Sequence, residues 1–200
     1  MNFIVPLVLI ALTVCPAPTK LFAAPHPGTE VIEGLHAALL AVMKDGQKLG
    51  YRGRYEQLSP VIRNNFDLPF IARTVLGRYW DELKDEQKSR FVEEFSKLTI
   101  ATYAANFDVY SREQFKVISH KELGNGQIEV RTNLLKSDGE GVSLDYILHH
   151  PGREWRIINI IANGVSDLAL KRADYTNYLR NKGFDALVGK LEEKMGQYLH

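Results

Sequence analysis

The sequence predicts an α+β domain in which a four-stranded antiparallel meander is packed on one face by N- and C-terminal helices. Apolar residues recur at helical spacing up to residue 110 and again after residue 164. Between these two segments the apolar period changes to two, and short turn sequences divide the stretch into four strands. A sheet that buries one face needs helices to cover it, and the flanking segments supply them.

Length and composition favour one globular domain. The chain has 200 residues, of which 45% are hydrophobic and 24% are charged, so its core is large enough to enclose a small ligand. The formal net charge is only +1, which provides no long-range field for phosphate backbones. We therefore expect no nucleic-acid partner.

The first 24 residues are predicted to be a signal peptide, which leaves residues 25–200 as the mature domain. Phe3–Val14 is an uncharged apolar run too short to cross a bilayer, and small residues end at Ala24. Two alternatives stay open. The segment before the run has no Lys or Arg, which is compatible with an uncleaved anchor, and Cys15 is compatible with lipidation. Cleavage after Ala24 would remove the single cysteine and exclude a disulfide.

Four helices are predicted before the strands. They run from Thr29 to the Gly46–Gly53 segment, from Ser59 to about Asn65, from Asp67 to Gly77, and from Asp85 to Tyr110. Ser59 is suited to cap a helix that has Pro60 at its first position. Phe91, Phe95 and Leu98 recur at helical spacing and give the longest helix an aromatic face.

The four strands are predicted from alternating patterns separated by turns. They are Gln114–Leu123, Gln127–Lys136, Val142–His149 and Glu154–Ala162. One face is expected to be apolar and covered by the helices. It carries Phe115, Val117, Ile128, Val130, Thr132, Leu134, Val142, Leu144, Tyr146, Leu148, Trp155, Ile157 and Ile161. The opposite face carries Lys116, Glu129, Arg131, Ser143 and Asp145, and we expect it to be solvated.

Two helices are predicted at the C-terminal end. The first is capped by Ser166 or Asp167 and ends at Gly183, and the second begins at Phe184.

No motif in the chain predicts catalysis, a metal site or a cofactor. Gly164-Val165-Ser166 begins a Gly-x-Ser-x-Gly pattern, but Leu168 occupies the place of the second Gly, so Ser166 is interpreted as a helix cap. The adjacent His149 and His150 point to opposite faces of a strand and lack further ligands at metal-binding spacing.

Asp145 is the one acid that could serve as a base, in a lyase or isomerase with a small cavity. Its position in the alternating pattern opposes this interpretation, because it predicts a solvent-facing carboxylate paired with Arg131 or Arg156. A third alternative is an adaptor with a solid core that docks on a membrane complex. Composition alone favours a filled core over a hollow one.

Two long stretches resemble a known family. They are Phe66–Tyr110, which includes Leu-Gly-x-x-Trp ending at Trp80 and a Phe-rich helix, and Leu144–Leu191, which includes Trp155-Arg156-Ile157, Gly164-Val165-Ser166 and Arg172. This series resembles the MlaC family, also called toluene-tolerance auxiliary proteins. Residues 101–110 and 164–169 are most similar to the HpnM branch, which is associated with hopanoids.

The resemblance implies a periplasmic, non-enzymatic carrier with a deep apolar pocket between helices and sheet. It implies a phospholipid or hopanoid-type ligand, membrane-bound components of an ABC-type transport system as partners, and no cofactor. We expect a monomer. Residues Gly164, Ser166, Asp167 and Arg172 are expected to build a turn and a helix start. The expected pocket lining is Leu76, Trp80, Phe95, Leu98, Tyr103, Phe107, Val130, Leu144, Tyr146, Leu148, Ile157 and Ile161.

Overall fold

The computed structural model describes residues 26–137 and 139–199. The predicted signal peptide and Cys15 lie outside the described residues. The described helices are α1 Pro27–Lys44, α2 Gly46–Asn65, α3 Leu68–Leu76, α4 Asp85–Asn106, α5 Asp167–Lys182 and α6 Phe184–Gly196. The strands are β1 Gln114–Gly124, β2 Gln127–Leu135, β3 Gly141–His149, β4 Arg156–Ala162 and β5 Val165–Ser166. Short 3₁₀ turns are formed by Gly77–Trp80 and Gln197–Leu199.

The predicted α+β fold is confirmed. The five strands form one antiparallel sheet in the order β1-β2-β3-β4-β5, so the chain crosses it as a meander. The fifth strand was not predicted, because two residues are too few to show an alternating pattern. The helices of the two ends pack together on the inner face, where α4 contacts α2, α3 and α6 and where α5 contacts α3 and β4.

The interruption predicted in the Gly46–Gly53 segment is confirmed, but the predicted start of the second helix at Ser59 is wrong. Helix α2 begins at Gly46 and continues through Pro60, with a kink at Gly50, whose φ of 59° lies in the left-handed region. Leu58 and Ile62 flank the proline and are both 0% exposed. Their burial in the core keeps this segment helical although proline disfavours a helix interior.

The longest helix ends four residues earlier than predicted. Helix α4 ends at Asn106, and Phe107 has a non-helical backbone. The following Val109 and Tyr110 are 53% and 38% exposed, so burial does not hold them in a further turn.

A β-bulge in β4 changes which residues face the helices. Tyr146 pairs with Ile160, but Leu148 pairs with Ile157, so β4 has one residue more than β3 between these pairs. After the bulge, each side chain of β4 points to the opposite face of the sheet from the one that strict alternation predicts. Ile161 therefore lies opposite Asp145 on the outer face, and the prediction that it faces the helices is wrong.

Candidate functional site

A cavity of about 370 Å³ lies between the inner face of β3 and β4 and the helices α3, α4 and α5. Its walls come from apolar and aromatic side chains that converge from five parts of the chain. The lining residues are Phe66, Leu68, Ile71, Phe95, Leu98, Thr99, Thr102, Tyr103, Asn106, Phe107, Leu144, Tyr146, Ile158, Asn159, Ile160, Ala162, Asp167, Leu168, Lys171, Tyr175 and Lys194.

Six of the twelve residues expected in the pocket line this cavity. They are Phe95, Leu98, Tyr103, Phe107, Leu144 and Tyr146. Four others, Leu76, Val130, Leu148 and Ile157, are 0% exposed and belong to the solid core. Trp80 lies in the 3₁₀ turn after α3 and packs against the core, and Ile161 is on the outer face.

Several lining residues escaped the sequence analysis for identifiable reasons. Ile158 and Ile160 face the cavity because of the bulge, which sequence alternation does not show. Thr99, Thr102 and Asn106 continue the helical spacing of Phe95 and Leu98 along α4. Their helical spacing indicates that they face the cavity, but their polar side chains are not typical of an apolar pocket.

Two groups of aromatic rings contribute to the wall of the cavity. The ring of Tyr103 stacks on that of Phe107 at a centroid distance of 5.6 Å and meets Phe66 edge-on at 5.7 Å. Further along α4, Phe95 meets Tyr175 of α5 edge-on at 6.4 Å. These offset and edge-on arrangements are the favoured ones for aromatic pairs, so the wall is well packed behind the empty space.

The tyrosine hydroxyls of the cavity are neutral. Burial raises the pKa of Tyr146 and Tyr175 well above its usual range, and it does the same for Tyr103. The Tyr146 hydroxyl lies 3.1 Å from Nε2 of His36 on α1. Burial also lowers the pKa of His36 to about 4, so this pair is uncharged at neutral pH.

The charged lining residues lie where the cavity opens to solvent. Asp167 and Lys171 form an ion pair one turn apart on α5, and their side chains are 53% and 28% exposed. Lys194 of α6 is exposed, and within the described parts of the chain no acidic partner lies within 4 Å of it. The cavity thus has an apolar interior and a rim that carries two lysines.

The Gly164-Val165-Ser166 segment builds the edge of the cavity rather than a nucleophile. Gly164 has a φ of 81° and turns the chain between β4 and β5. The Ser166 hydroxyl donates to Oδ1 of Asn159 at 3.1 Å and accepts from the backbone N–H of Ala169 at 3.1 Å. Ser166 is therefore the N-cap of α5, as predicted.

Asp145 lies outside the cavity. Its carboxylate is 3.4 Å from Nε of Arg131 and accepts from the hydroxyl of Ser143 at 3.3 Å, both on the outer face. The predicted cross-strand pairing with Arg131 is confirmed, whereas Arg156 pairs with Glu154 instead. A base in this position has no access to a ligand in the cavity, so the geometry opposes the lyase alternative.

The adjacent His149 and His150 lie in two different environments. Nε2 of His149 lies 2.8 Å from the carboxylate of Asp67, and the exposed His150 packs on Trp155. Among residues 26–137 and 139–199, no group of three or more His, Cys, Asp or Glu is placed to hold a metal ion. Over the same residues, no helix combines the length and apolar character needed to span a bilayer.

Comparison with known proteins identifies the family. Residues 33–193 match the model of the family described as MlaC protein. The chain belongs to the MlaC family. One relative is the intermembrane phospholipid transport system binding protein MlaC of Haemophilus influenzae, 28% identical over 148 residues, which are 70% of this chain and 69% of the relative.

A second relative is the toluene tolerance protein Ttg2D of Pseudomonas putida, which is 24% identical over 88% of this chain and 83% of its own length. A phospholipid-binding protein from Ralstonia solanacearum, solved in complex with a phospholipid, has the same fold. It superimposes with a TM-score of 0.77 at 19% identity, over 88% of this chain and 100% of its own.

Proposed function

We propose that this chain is a carrier that binds a phospholipid in the cavity and escorts it through the periplasm without a chemical step. The observation that carries the proposal is an apolar cavity, open to solvent at a charged rim, in a chain of the MlaC family. Its volume falls within the range of about 300–1,000 Å³ found for ligand sites. Each CH₂ group that a lipid tail buries there contributes about 0.8 kcal/mol.

The geometry gives each part of a phospholipid a suitable environment. The tails contact the aromatic wall around Tyr103 and the aliphatic floor formed by Leu144 and Ile160. The phosphate lies at the rim, where Lys194 supplies positive charge and the charge of Lys171 is shared with Asp167. Neutral tyrosines inside and cations only at the rim orient the molecule with its tails inward, because burying the phosphate would be costly.

The transport role rests on the names of relatives as well as on the cavity. One relative belongs to an intermembrane phospholipid transport system, and a lipid needs shelter wherever it crosses water between two membranes. We propose that residues 1–24 direct export to the periplasm and that the partners are membrane-bound transport components. The carrier would act as a monomer.

The finer identity of the lipid is a separate part of the proposal. The names of the two relatives and of the solved structure mention phospholipid or toluene tolerance, and none of these three names mentions a hopanoid. The sequence resemblance to the hopanoid-associated branch therefore stays a prediction. The apolar interior suits either kind of hydrocarbon.

Mass spectrometry of co-purified lipid tests the proposal directly. The protein is purified from the periplasm of its native host, extracted with organic solvent, and its lipid content is measured against protein. We expect about one phospholipid per protein, because the proposal places the ligand in one apolar cavity. A hopanoid at the same ratio would correct the ligand, and repeated absence of any lipid would overturn the carrier function.

Two neighbouring residues of β4 provide a matched pair of variants. Ala162 lines the cavity, whereas Ile161 lies on the outer face opposite Asp145. Ala162→Trp should fill the cavity and remove the lipid, and Ile161→Trp should leave lipid content unchanged. Circular dichroism confirms that both variants are folded. Equal lipid content in the two variants would show that the lipid binds elsewhere.

A further inference from the structure

A second concave site lies on the other side of α5 from the lipid cavity. It is a groove of about 480 Å³ lined by the 3₁₀ turn at Gly77–Tyr79 and by α5 from Arg172 to Arg180. Residues 167, 168, 171 and 175 of the helix line the cavity, and residues 172, 173, 176, 177 and 180 line the groove. The two sites share the helix but no lining residue.

Three arginines without acidic partners meet in this groove. Arg78, Arg172 and Arg180 all line it, and within the described chain none of them has a carboxylate within 4.0 Å. Most other arginines are neutralised. Ion pairs are made by Arg52, Arg63, Arg73, Arg90, Arg131 and Arg156, and Arg54 donates to backbone carbonyls. The nearby Glu82 acts on Arg78 only at longer range.

Neutral groups hold these guanidinium groups in place. Arg78 donates to the Tyr79 hydroxyl at 3.2 Å and lies over its ring, and Arg180 donates to Oδ1 of Asn177 at 2.9 Å. Arg172 rests on the backbone of Gly77, where a Cβ atom would lie 3.1 Å from its Nη2. Gly77 has a φ of 55°, so the chain keeps a conformation favoured by glycine at the point where the guanidinium packs. The positive charges are thus positioned but not compensated.

We infer that this groove is a docking site for an acidic segment of a partner protein. Guanidinium groups held in fixed orientation recognise carboxylates by paired hydrogen bonds, and their preorganisation lowers the entropy lost on binding. A lipid surface is the weaker match. Membrane docking uses apolar anchors, and no groove residue is among the exposed large hydrophobic side chains of the described chain.

The groove lies apart from the opening of the cavity, so a docked partner and a bound lipid can be present together. Since the groove and the cavity share no lining residue, a partner bound at the arginines leaves the opening at Asp167 and Lys171 free. The acidic segment would therefore hold the carrier while the lipid is still inside. This inference concerns a surface outside the cavity, and it does not depend on which ligand the cavity binds.

An NMR titration of the full-length mature protein tests the inference. The probe is a blocked Glu-Glu-Ser-Glu-Glu peptide, with Gln-Gln-Ser-Gln-Gln as the neutral control, and the signals are the arginine Nε–H cross-peaks. We expect the peaks of Arg78, Arg172 and Arg180 to shift and saturate with the acidic peptide alone. The affinity should be weak and should fall with added salt, because exposed ion pairs contribute little individually.

The chain offers a charge-matched control for the variants. Arg172→Glu with Arg180→Glu reverses two groove charges, and Arg112→Glu with Arg153→Glu reverses two exposed arginines elsewhere that also lack acidic partners. The first double variant should bind the peptide at least about tenfold more weakly, and the second should bind nearly as wild type does. Both should keep their folded spectrum and their lipid content.

Three results would overturn the inference. Equal losses in the two double variants would show a general charge effect. Inorganic phosphate that saturates the same peaks as readily as the peptide would show a site for small anions. Stronger binding to vesicles of phosphatidylglycerol, lost in the groove variant, would identify a membrane surface instead of a protein. Absence of lipid from wild-type protein would contradict the carrier function alone.

Discussion

Strand β3 contributes to two different environments on the same face of the sheet. Leu148 is 0% exposed and pairs in register with Ile128 and Ile157 in a solid core, whereas Leu144, four residues earlier, lines the cavity. Tyr146 lies between them, with its ring at the cavity and its hydroxyl on His36. The alternation of the strand is the same at both ends, so the helices above decide which end is filled.

The helices pack more closely on the sheet at the solid end than at the hollow end. At the solid end, α1 approaches so closely that a Cβ atom on Gly28 would overlap Cδ1 of Ile128. The backbone of Phe66 forms a β-bridge with Ile157 there, and Phe66 itself also lines the cavity. At the hollow end, α4 and α5 stand away from Leu144 and leave about 370 Å³ between them. On one apolar face of the sheet, the close-packed end contributes to stability and the cavity provides room for a ligand.

The largest expected effect is the loss of stability on truncating the solid end. Leu148→Ala should lower the free energy of unfolding by about 2–5 kcal/mol, because the close-packed surroundings cannot collapse into the void. Lipid content of the folded fraction should not change. Urea unfolding followed by circular dichroism measures the first quantity and mass spectrometry the second. A loss of lipid at unchanged stability would show that Leu148 belongs to the binding site.

The boundary between the two ends should be sensitive to pH. His36 has a pKa lowered to about 4 by burial, compared with 6.5 when unfolded. Between these values the unfolded chain binds a proton that the folded chain does not, so the contribution of His36 to stability is lost as pH falls from about 6.5 to about 4. The full effect is roughly 3 kcal/mol.

Two histidine variants isolate this effect from the titration of carboxylates. His36→Gln should lose the extra acid sensitivity, so the stability difference from wild type should change by roughly 3 kcal/mol between neutral pH and pH about 4. His150→Gln, at an exposed position, should keep the wild-type slope. Parallel curves for wild type and His36→Gln would show that the buried pair does not control acid unfolding.

Truncation of the hollow end should have a smaller effect on stability. Leu144→Ala should lower the free energy of unfolding of lipid-free protein by about 1 kcal/mol, because its cavity-facing atoms have few neighbours to lose. Lipid retention should fall, since the tails lose an aliphatic contact. Thermal unfolding of delipidated protein and lipid content after dialysis measure the two effects. A stability loss equal to that of Leu148→Ala would contradict the distinction between the two ends.

The sequence predicted the elements of this fold better than it predicted the cavity. The four long strands β1 to β4 and the N-cap at Ser166 follow from local patterns, and the structure confirms them. Pro60 suggested a helix start, but burial of Leu58 and Ile62 keeps α2 continuous, which is a tertiary effect. The bulge that turns Ile161 outward depends on pairing with β3.

Local sequence patterns do not predict which end of this face is solid and which is hollow. Leu144 and Leu148 have the same residue type, lie on the same strand and share its inner face, yet Leu144 lines the cavity and Leu148 is 0% exposed in the core. Local patterns therefore predict which face of the sheet the helices cover, but they do not predict how tightly the helices pack on it. For this reason six expected residues line the cavity, while Leu76, Val130, Leu148 and Ile157 fill the core.

The smallest effect is expected on the opposite face of the same strand. Asp145 lies between Leu144 and Tyr146 in sequence but points away from the cavity towards Arg131. Asp145→Asn should change the free energy of unfolding by less than about 1 kcal/mol, because the pair is partly exposed. Arg131 also keeps Glu129 at 3.2 Å, so its charge stays compensated. Lipid content should equal that of wild type.

This variant separates the carrier from an enzyme acting in the same cavity. An enzyme that used Asp145 as its base would lose turnover in Asp145→Asn, and the lipid recovered from the variant would differ chemically from that of wild type. A carrier has no such step, so mass spectra of the two extracts should coincide. Arg131→Gln controls for loss of the ion pair without loss of the carboxylate. Because the outer face has no contact with the ligand, neither substitution should distinguish the two extracts.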